Sequence, residues 1–97
     1  MKQWFVYIMA SGRNGTLYIG VTNDLARRGS EPTTNAVHGS FTAKYDVHQM
    51  VYCEALDSPE DAIRREKNIK AWKRAWKVRL IESVNPQWED LGTKLLD

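Results

Sequence analysis

Glu66 is the residue of this chain whose surroundings most demand a chemical explanation. At about 100° per residue around a helix, Ala62, Ile69 and Leu80 lie within about 60° of it, so the carboxylate borders an apolar stripe. Burying an unpaired charge is costly, so an acid in that place takes either a divalent metal or a cationic partner. Lys70 and Lys73 fall on the same side, which makes an ordinary Glu66–Lys70 pair the plain alternative to a metal. Two phenols form the second group of interest: Tyr7 in Phe5-Val6-Tyr7 and Tyr18 in Tyr18-Ile19-Gly20, with Arg28 ten positions after Tyr18. If the segments carrying the phenols pair as a hairpin, Tyr7, Tyr18, Gly20 and Thr22 share one face of the sheet. A two-residue Asn14-Gly15 turn makes facing positions sum to 29 and leaves the phenols roughly 13 Å apart. A longer loop, with a pairing sum nearer 25, brings the rings together. Gly20 on that face leaves room for a close approach by backbone or ligand, whereas the plain reading of both tyrosines is core packing.

The charge is unevenly placed. Between Arg64 and Arg79 lie eight bases and only Glu66, a segment charge of +7, while the other residues carry −5. Lys67, Lys70, Lys73, Arg74 and Lys77 are therefore candidates for phosphate contacts, which release counterions and supply sequence-independent affinity for nucleic acid. Trp72 and Trp76 are interleaved with these bases, and indoles can stack on unpaired bases. A solvated basic helix face with its tryptophans in the core is the competing reading.

The elements that must position these groups are legible from pattern. Gln3 to Met9 reads as a strand with Trp4, Val6 and Ile8 on one face and Phe5, Tyr7 and Met9 on the other, apolar on both sides and so central. A turn through Ser11–Gly15 leads to a returning strand, Thr16 to Val21. Thr22, Asn23 and Asp24 offer N-cap oxygens for a helix from Leu25, which Gly29 and Pro32 interrupt before a loop from Glu31 to Ser40. His48 to Ala55 reads as the third strand, with Val51, Cys53 and Ala55 opposite Met50 and Tyr52. Ser58-Pro59-Glu60-Asp61 opens a helix to about Trp72, followed by a second helical stretch through Leu80. Asn85-Pro86 then restarts a short terminal helix ending near Leu96. The expected fold is α+β: a three-stranded, mainly antiparallel sheet flanked by helices.

Length and composition agree with one domain of 97 residues, and ten aromatics argue for a folded core. No run approaches the roughly 18 apolar residues of a membrane span, and Met1-Lys2-Gln3, leading into a short strand, does not read as a signal peptide. The single Cys53 reads as a small buried hydrophobe in a reducing compartment, so the expected location is cytoplasmic.

Taken together, Phe5-Val6-Tyr7, Tyr18-Ile19-Gly20, Asn23-Asp24-Leu25, Arg27-Arg28, Phe41-Thr42-Ala43-Lys44-Tyr45, Arg65-Glu66-Lys67 and Asn85-Pro86 resemble the GIY-YIG nuclease superfamily over nearly the whole chain. The match is closest to its small single-domain bacterial members, with Phe5 where the motif name has glycine. The resemblance implies metal-dependent phosphodiester hydrolysis, of DNA more than RNA, as used in repair or recombination. It implies that Glu66 holds Mg²⁺ or Mn²⁺, and that Tyr18 or Tyr7 positions and deprotonates the attacking water. Arg28 would neutralise charge on the phosphate. Gly20, Asn23, Lys44, Tyr45 and Asn85 would support the site, although Asn85-Pro86 equally suits a helix N-cap. The chain departs from the family at Pro32, where close relatives carry histidine four positions after the arginine. That departure raises a rival, a catalytically impaired nucleic-acid-binding module on the same fold. A protein-interaction adaptor presenting Trp72 and Trp76 is a third reading.

Overall fold

A computed structural model describes residues 3–25 and 47–92. Within them, β1 (Trp4–Ala10), β2 (Leu17–Thr22) and β3 (Gln49–Leu56) form an antiparallel sheet in the order β2-β1-β3. Helix α1 (Pro59–Ala71) and helix α2 (Arg74–Val84) follow in sequence. The α+β expectation holds, and β1 is the central strand that its two-sided apolar pattern implies. Val6, Ile8 and Ala10 are buried on one face, in a cluster with Ile19, Val51, Ala62, Ile69, Ile81 and Trp88. Tyr7 and Met9 are buried on the other face with Leu25, Val47 and Met50. Each large aliphatic side chain removed from water in these layers contributes about 1.5–3 kcal/mol.

The hairpin turn differs from both sequence expectations. Tyr7 faces Gly20 and Met9 faces Tyr18, so paired positions sum to 27. The closing pair is Ser11 and Thr16: the Ser11 amide donates to the Thr16 carbonyl at 3.0 Å, and the Thr16 amide to Ser11 Oγ at 2.9 Å. Inside it the Gly15 amide donates to the Gly12 carbonyl at 2.9 Å, and Asn14 takes φ 60°, a conformation that asparagine tolerates better than most residues. The Ser11 hydroxyl thus lengthens the loop by capping it internally. A Cβ at Gly15 would collide with that hydroxyl, so glycine is required for packing there.

Strand β3 also departs from simple alternation. Ile8 faces Tyr52 and Met9 faces Met50, leaving Val51 as the extra residue of a bulge. Val51 therefore joins Tyr52 in one cluster while Met50 and Cys53 belong to the other, which corrects the expected grouping of Val51 with Cys53.

Helix α1 starts as its sequence demands: Ser58 Oγ accepts from the Asp61 amide at 3.1 Å, Pro59 opens the first turn, and Glu60 and Asp61 complement the helix dipole. It ends at Ala71 because Trp72 (ψ 154°) and Lys73 (ψ 150°) are both extended. Leu80 consequently lies on a separate helix from Glu66, and the continuous wheel that placed them together does not apply. Helix α2 runs to Val84, beyond the expected Leu80. Asn85 is its C-cap rather than the N-cap of a terminal helix, with its amide donating to the Ile81 carbonyl at 2.8 Å. Helical structure resumes only at Leu91, where Asp90 Oδ1 accepts from the Gly92 amide at 2.9 Å.

Candidate active site and basic face

The register fixes the tyrosine pair. Tyr7 and Tyr18 point from adjacent strands to the same face, with ring centroids 6.3 Å apart and planes tilted by 41°. What makes this possible is Gly20 opposite Tyr7: a Cβ at Gly20 would sit 2.5 Å from Tyr7 Cζ. The Tyr7 ring occupies the space that the missing side chain leaves, and only 2% of the residue is exposed. Tyr18 is half-buried, which makes it the phenol of the pair that meets solvent. The close approach expected at Gly20 is thus made by a tyrosine ring.

Beyond Thr22 the chain turns by a local bond, Thr22 Oγ1 accepting from the Asp24 amide at 3.0 Å. Asn23 is exposed in that turn, and Leu25, where helical structure begins, packs into the tyrosine cluster. Arg28, Lys44 and Tyr45, together with Pro32, lie outside the described residues.

Glu66 sits on α1 with 16% of its side chain exposed, and Lys70 Nζ lies 2.6 Å from its Oε2. Ala62 and Ile69, one turn to either side, are fully buried against the sheet face opposite the tyrosines. The feature common to both groups is β2. This edge strand carries Tyr18 on one face, while α1, which bears Glu66, packs against it and β1. Among the described residues no group of three or more His, Cys, Asp or Glu side chains could hold a metal. A lone carboxylate suits Mg²⁺, which keeps most of its waters and completes its shell with substrate phosphate. Glu66 is the carboxylate of α1 that could hold such a cation, and in this structure it is paired with Lys70.

Asn85 is buried and its amide is committed to backbone. Its Nδ2 donates to the Val51 carbonyl at 3.0 Å and the Glu89 carbonyl at 2.9 Å, and its Oδ1 accepts from the Glu89 amide at 3.0 Å. It anchors the end of α2 to the β3 bulge. Cys53 is half-buried, and burial pushes its thiol pKa up, which disfavours the reactive thiolate.

The basic segment divides into groups already engaged and groups facing solvent. Arg74 Nη2 donates to the Asn14 and Gly15 carbonyls at 2.7 Å each, pinning the hairpin turn to the start of α2. Sequence reasoning assigned Arg74 to phosphate contacts; the structure gives it this clamp. Arg65 Nε donates to both Glu54 oxygens, at 3.2 and 3.1 Å, and its guanidinium lies 5.2 Å from the Trp72 ring centroid. Tyr52 completes that network by donating to Glu54 Oε1 at 2.7 Å, and burial followed by this bond raises its pKa to about 12. Lys67 and Lys73 are exposed and Lys77 is half-buried. Sequence reasoning overlooked Arg79 as a site residue, although it stands three positions after Trp76 and so one turn away on the same helix face.

Residues 3–79 match the model of the GIY-YIG catalytic domain. A UPF0213 protein of Pseudomonas aeruginosa is 36% identical over 91 residues, covering 94% of this chain and 85% of the relative. Another from Desulfotalea psychrophila is 34% identical over 80 residues, covering 82% and 72%, and one from Syntrophus aciditrophicus is 31% identical over 87 residues, covering 90% and 98%. No solved structure matches the chain at comparable significance. Among the described residues no helix is long and apolar enough to cross a membrane. With the motif tyrosines side by side and the family match running from β1 into α2, the chain belongs to the GIY-YIG family and so to a nuclease superfamily whose members act on nucleic acids.

Proposed function

We propose that this protein hydrolyses phosphodiester bonds in DNA in a reaction that depends on Mg²⁺ or Mn²⁺, within the cytoplasm. The observation that carries the reading is the Tyr7–Tyr18 pair at 6.3 Å, held by a glycine that gives the inner ring its space. Tyr18, the more exposed phenol, orients the attacking water through its oxygen, and Tyr7 fixes the rotamer of Tyr18 by packing beside it. Glu66 holds the cation beside the β2 edge, where the bound metal would polarise the scissile phosphate. Arg28 is assigned to charge neutralisation at the phosphate from its place in the family motif.

A discriminating test compares Tyr18→Phe with Tyr7→Phe on single-stranded, duplex, nicked and branched DNA with Mn²⁺. Loss of a water-positioning group typically costs ~10²–10⁴-fold in rate, so Tyr18→Phe should show that loss and Tyr7→Phe a smaller one. Full activity in both variants would remove the tyrosine pair from the mechanism. The Glu66–Lys70 contact at 2.6 Å favours one further reading, a nucleic-acid-binding module without cleavage. It is distinguished by binding that proceeds without divalent metal and yields no product with it.

A further inference from the structure

Trp76 is half-exposed near the start of α2, the helix that buries Ile81 in the core. Its ring meets Trp72 edge-on, with centroids 6.1 Å apart and planes at 74°. Trp72 is itself fixed: it packs against the core, and Arg65, tied to Glu54 in β3, lies over its ring. Beside the two indoles Arg79, Leu80 and Ser83 complete an open cleft of about 300 Å³, the lower end of the range for small-ligand sites. Trp76, Arg79, Leu80 and Ser83 fall at successive helix-turn spacings, so one face of α2 lines the cleft with Trp72 as its end wall.

We infer that this cleft stacks an unpaired nucleobase on Trp76, with Arg79 and the adjoining lysines taking the flanking phosphates. The inference rests on the nucleic-acid reading above and adds a substrate class: strands with unpaired nucleotides, as at ends, flaps or branches. Charge selects the occupant. Arg64, Arg65 and Lys70 are paired with Asp61, Glu54 and Glu66, and Arg74 is held by the hairpin carbonyls, which leaves Lys67, Lys73, Lys77 and Arg79 to complement a polyanion. Lys73 and Lys77 flank Trp76, one turn before it and directly after it, where they can take the phosphates on either side of a stacked base. Base faces in a duplex are already stacked on one another, so only an unpaired base can use the indole.

The experiment measures binding of oligothymidylate and of a duplex with equal phosphate count, in EDTA and at fixed salt, for wild type, Trp76→Ala and Trp76→Phe. Because Trp76 is half-exposed, both variants should fold, which far-UV circular dichroism and thermal melts check. Trp76→Ala should lose ~5–150-fold in oligothymidylate affinity, the size of one base–aromatic stack, while Trp76→Phe keeps most of it. Duplex affinity and the salt slope should be the same in all forms. Equal losses on both ligands, or no loss on oligothymidylate, would overturn the stacking site while leaving nucleic-acid binding intact. If wild type bound neither ligand at low salt, the underlying nucleic-acid reading would fail with it, and the cleft would be a protein-docking face.

Discussion

At the scale of single residues, Gly20 joins fold to candidate chemistry. Gly20→Ala adds one methyl where the Tyr7 phenol already sits, and overpacking of this kind costs about 1–3 kcal/mol. The variant should melt at lower temperature, and any activity that depends on the Tyr7–Tyr18 geometry should fall with it. If Gly20→Ala left both unchanged, the ring would have room that the geometry denies. Tyr52 makes a pH prediction whose sign follows from its raised pKa. Between about 10 and about 12 the unfolded chain has lost the phenolic proton and the folded chain keeps it, so this contribution to stability falls as pH rises through that window. Below pH 10 it is fully present. Denaturant melts across the window should show the decline in wild type and a shallower one in Tyr52→Phe. Parallel curves would mean that Tyr52 titrates equally in both states.

At the scale of elements, α1 and α2 begin in opposite ways. The first has a side-chain cap and two acids in its first turn; the second has Lys73 at its N-cap, no side-chain cap bond and no acid in its first turn. Bases at a helix N-terminus oppose the dipole, so α2 gives up stability there, an arrangement that a bound polyanion relieves. Lys73→Asp should therefore stabilise the fold by about 1 kcal/mol while weakening nucleic-acid affinity. Changes of the same sign in both measurements would contradict this trade-off. The strands and the start of α1 were legible because their signals are local: two-sided apolar runs, and serine-proline-acid at the cap. The hairpin register was not, since it turns on the Ser11 hydroxyl accepting from the Thr16 amide and on Arg74 reaching back to the Asn14 and Gly15 carbonyls. Pattern reading likewise misses the Val51 bulge, because Val51 and Tyr52 are both apolar enough to be read in strict alternation. Asn85 was ambiguous in sequence because asparagine suits either end of a helix.

For the whole molecule, the separation of charge should govern association. Replacing Lys67, Lys73 and Lys77 with glutamine should weaken nucleic-acid binding and lower the log–log salt slope by about one unit for each phosphate no longer neutralised. An affinity indifferent to salt would exclude a phosphate-tracking surface. The candidate site was legible as residue types in a fixed order, and the structure adds how its described parts sit. The tyrosines share one sheet face, the neighbours of Glu66 pack on the other, and β2 lies between them. No sequence period could show that arrangement, because it depends on which strand forms the edge. Glu66 is largely buried, but its partner Lys70 is half-exposed, so Glu66→Gln keeps the shape of the side chain and strands no buried charge, and the fold should be spared. The most direct measurement is single-turnover cleavage of a branched and a nicked DNA with and without Mn²⁺ by wild type and Glu66→Gln. Metal-dependent product from wild type, abolished in a Glu66→Gln protein that still folds and binds DNA, is the expected result. Equal cleavage by both proteins, or cleavage by wild type undiminished in EDTA, would contradict the assignment of Glu66 to a catalytic metal.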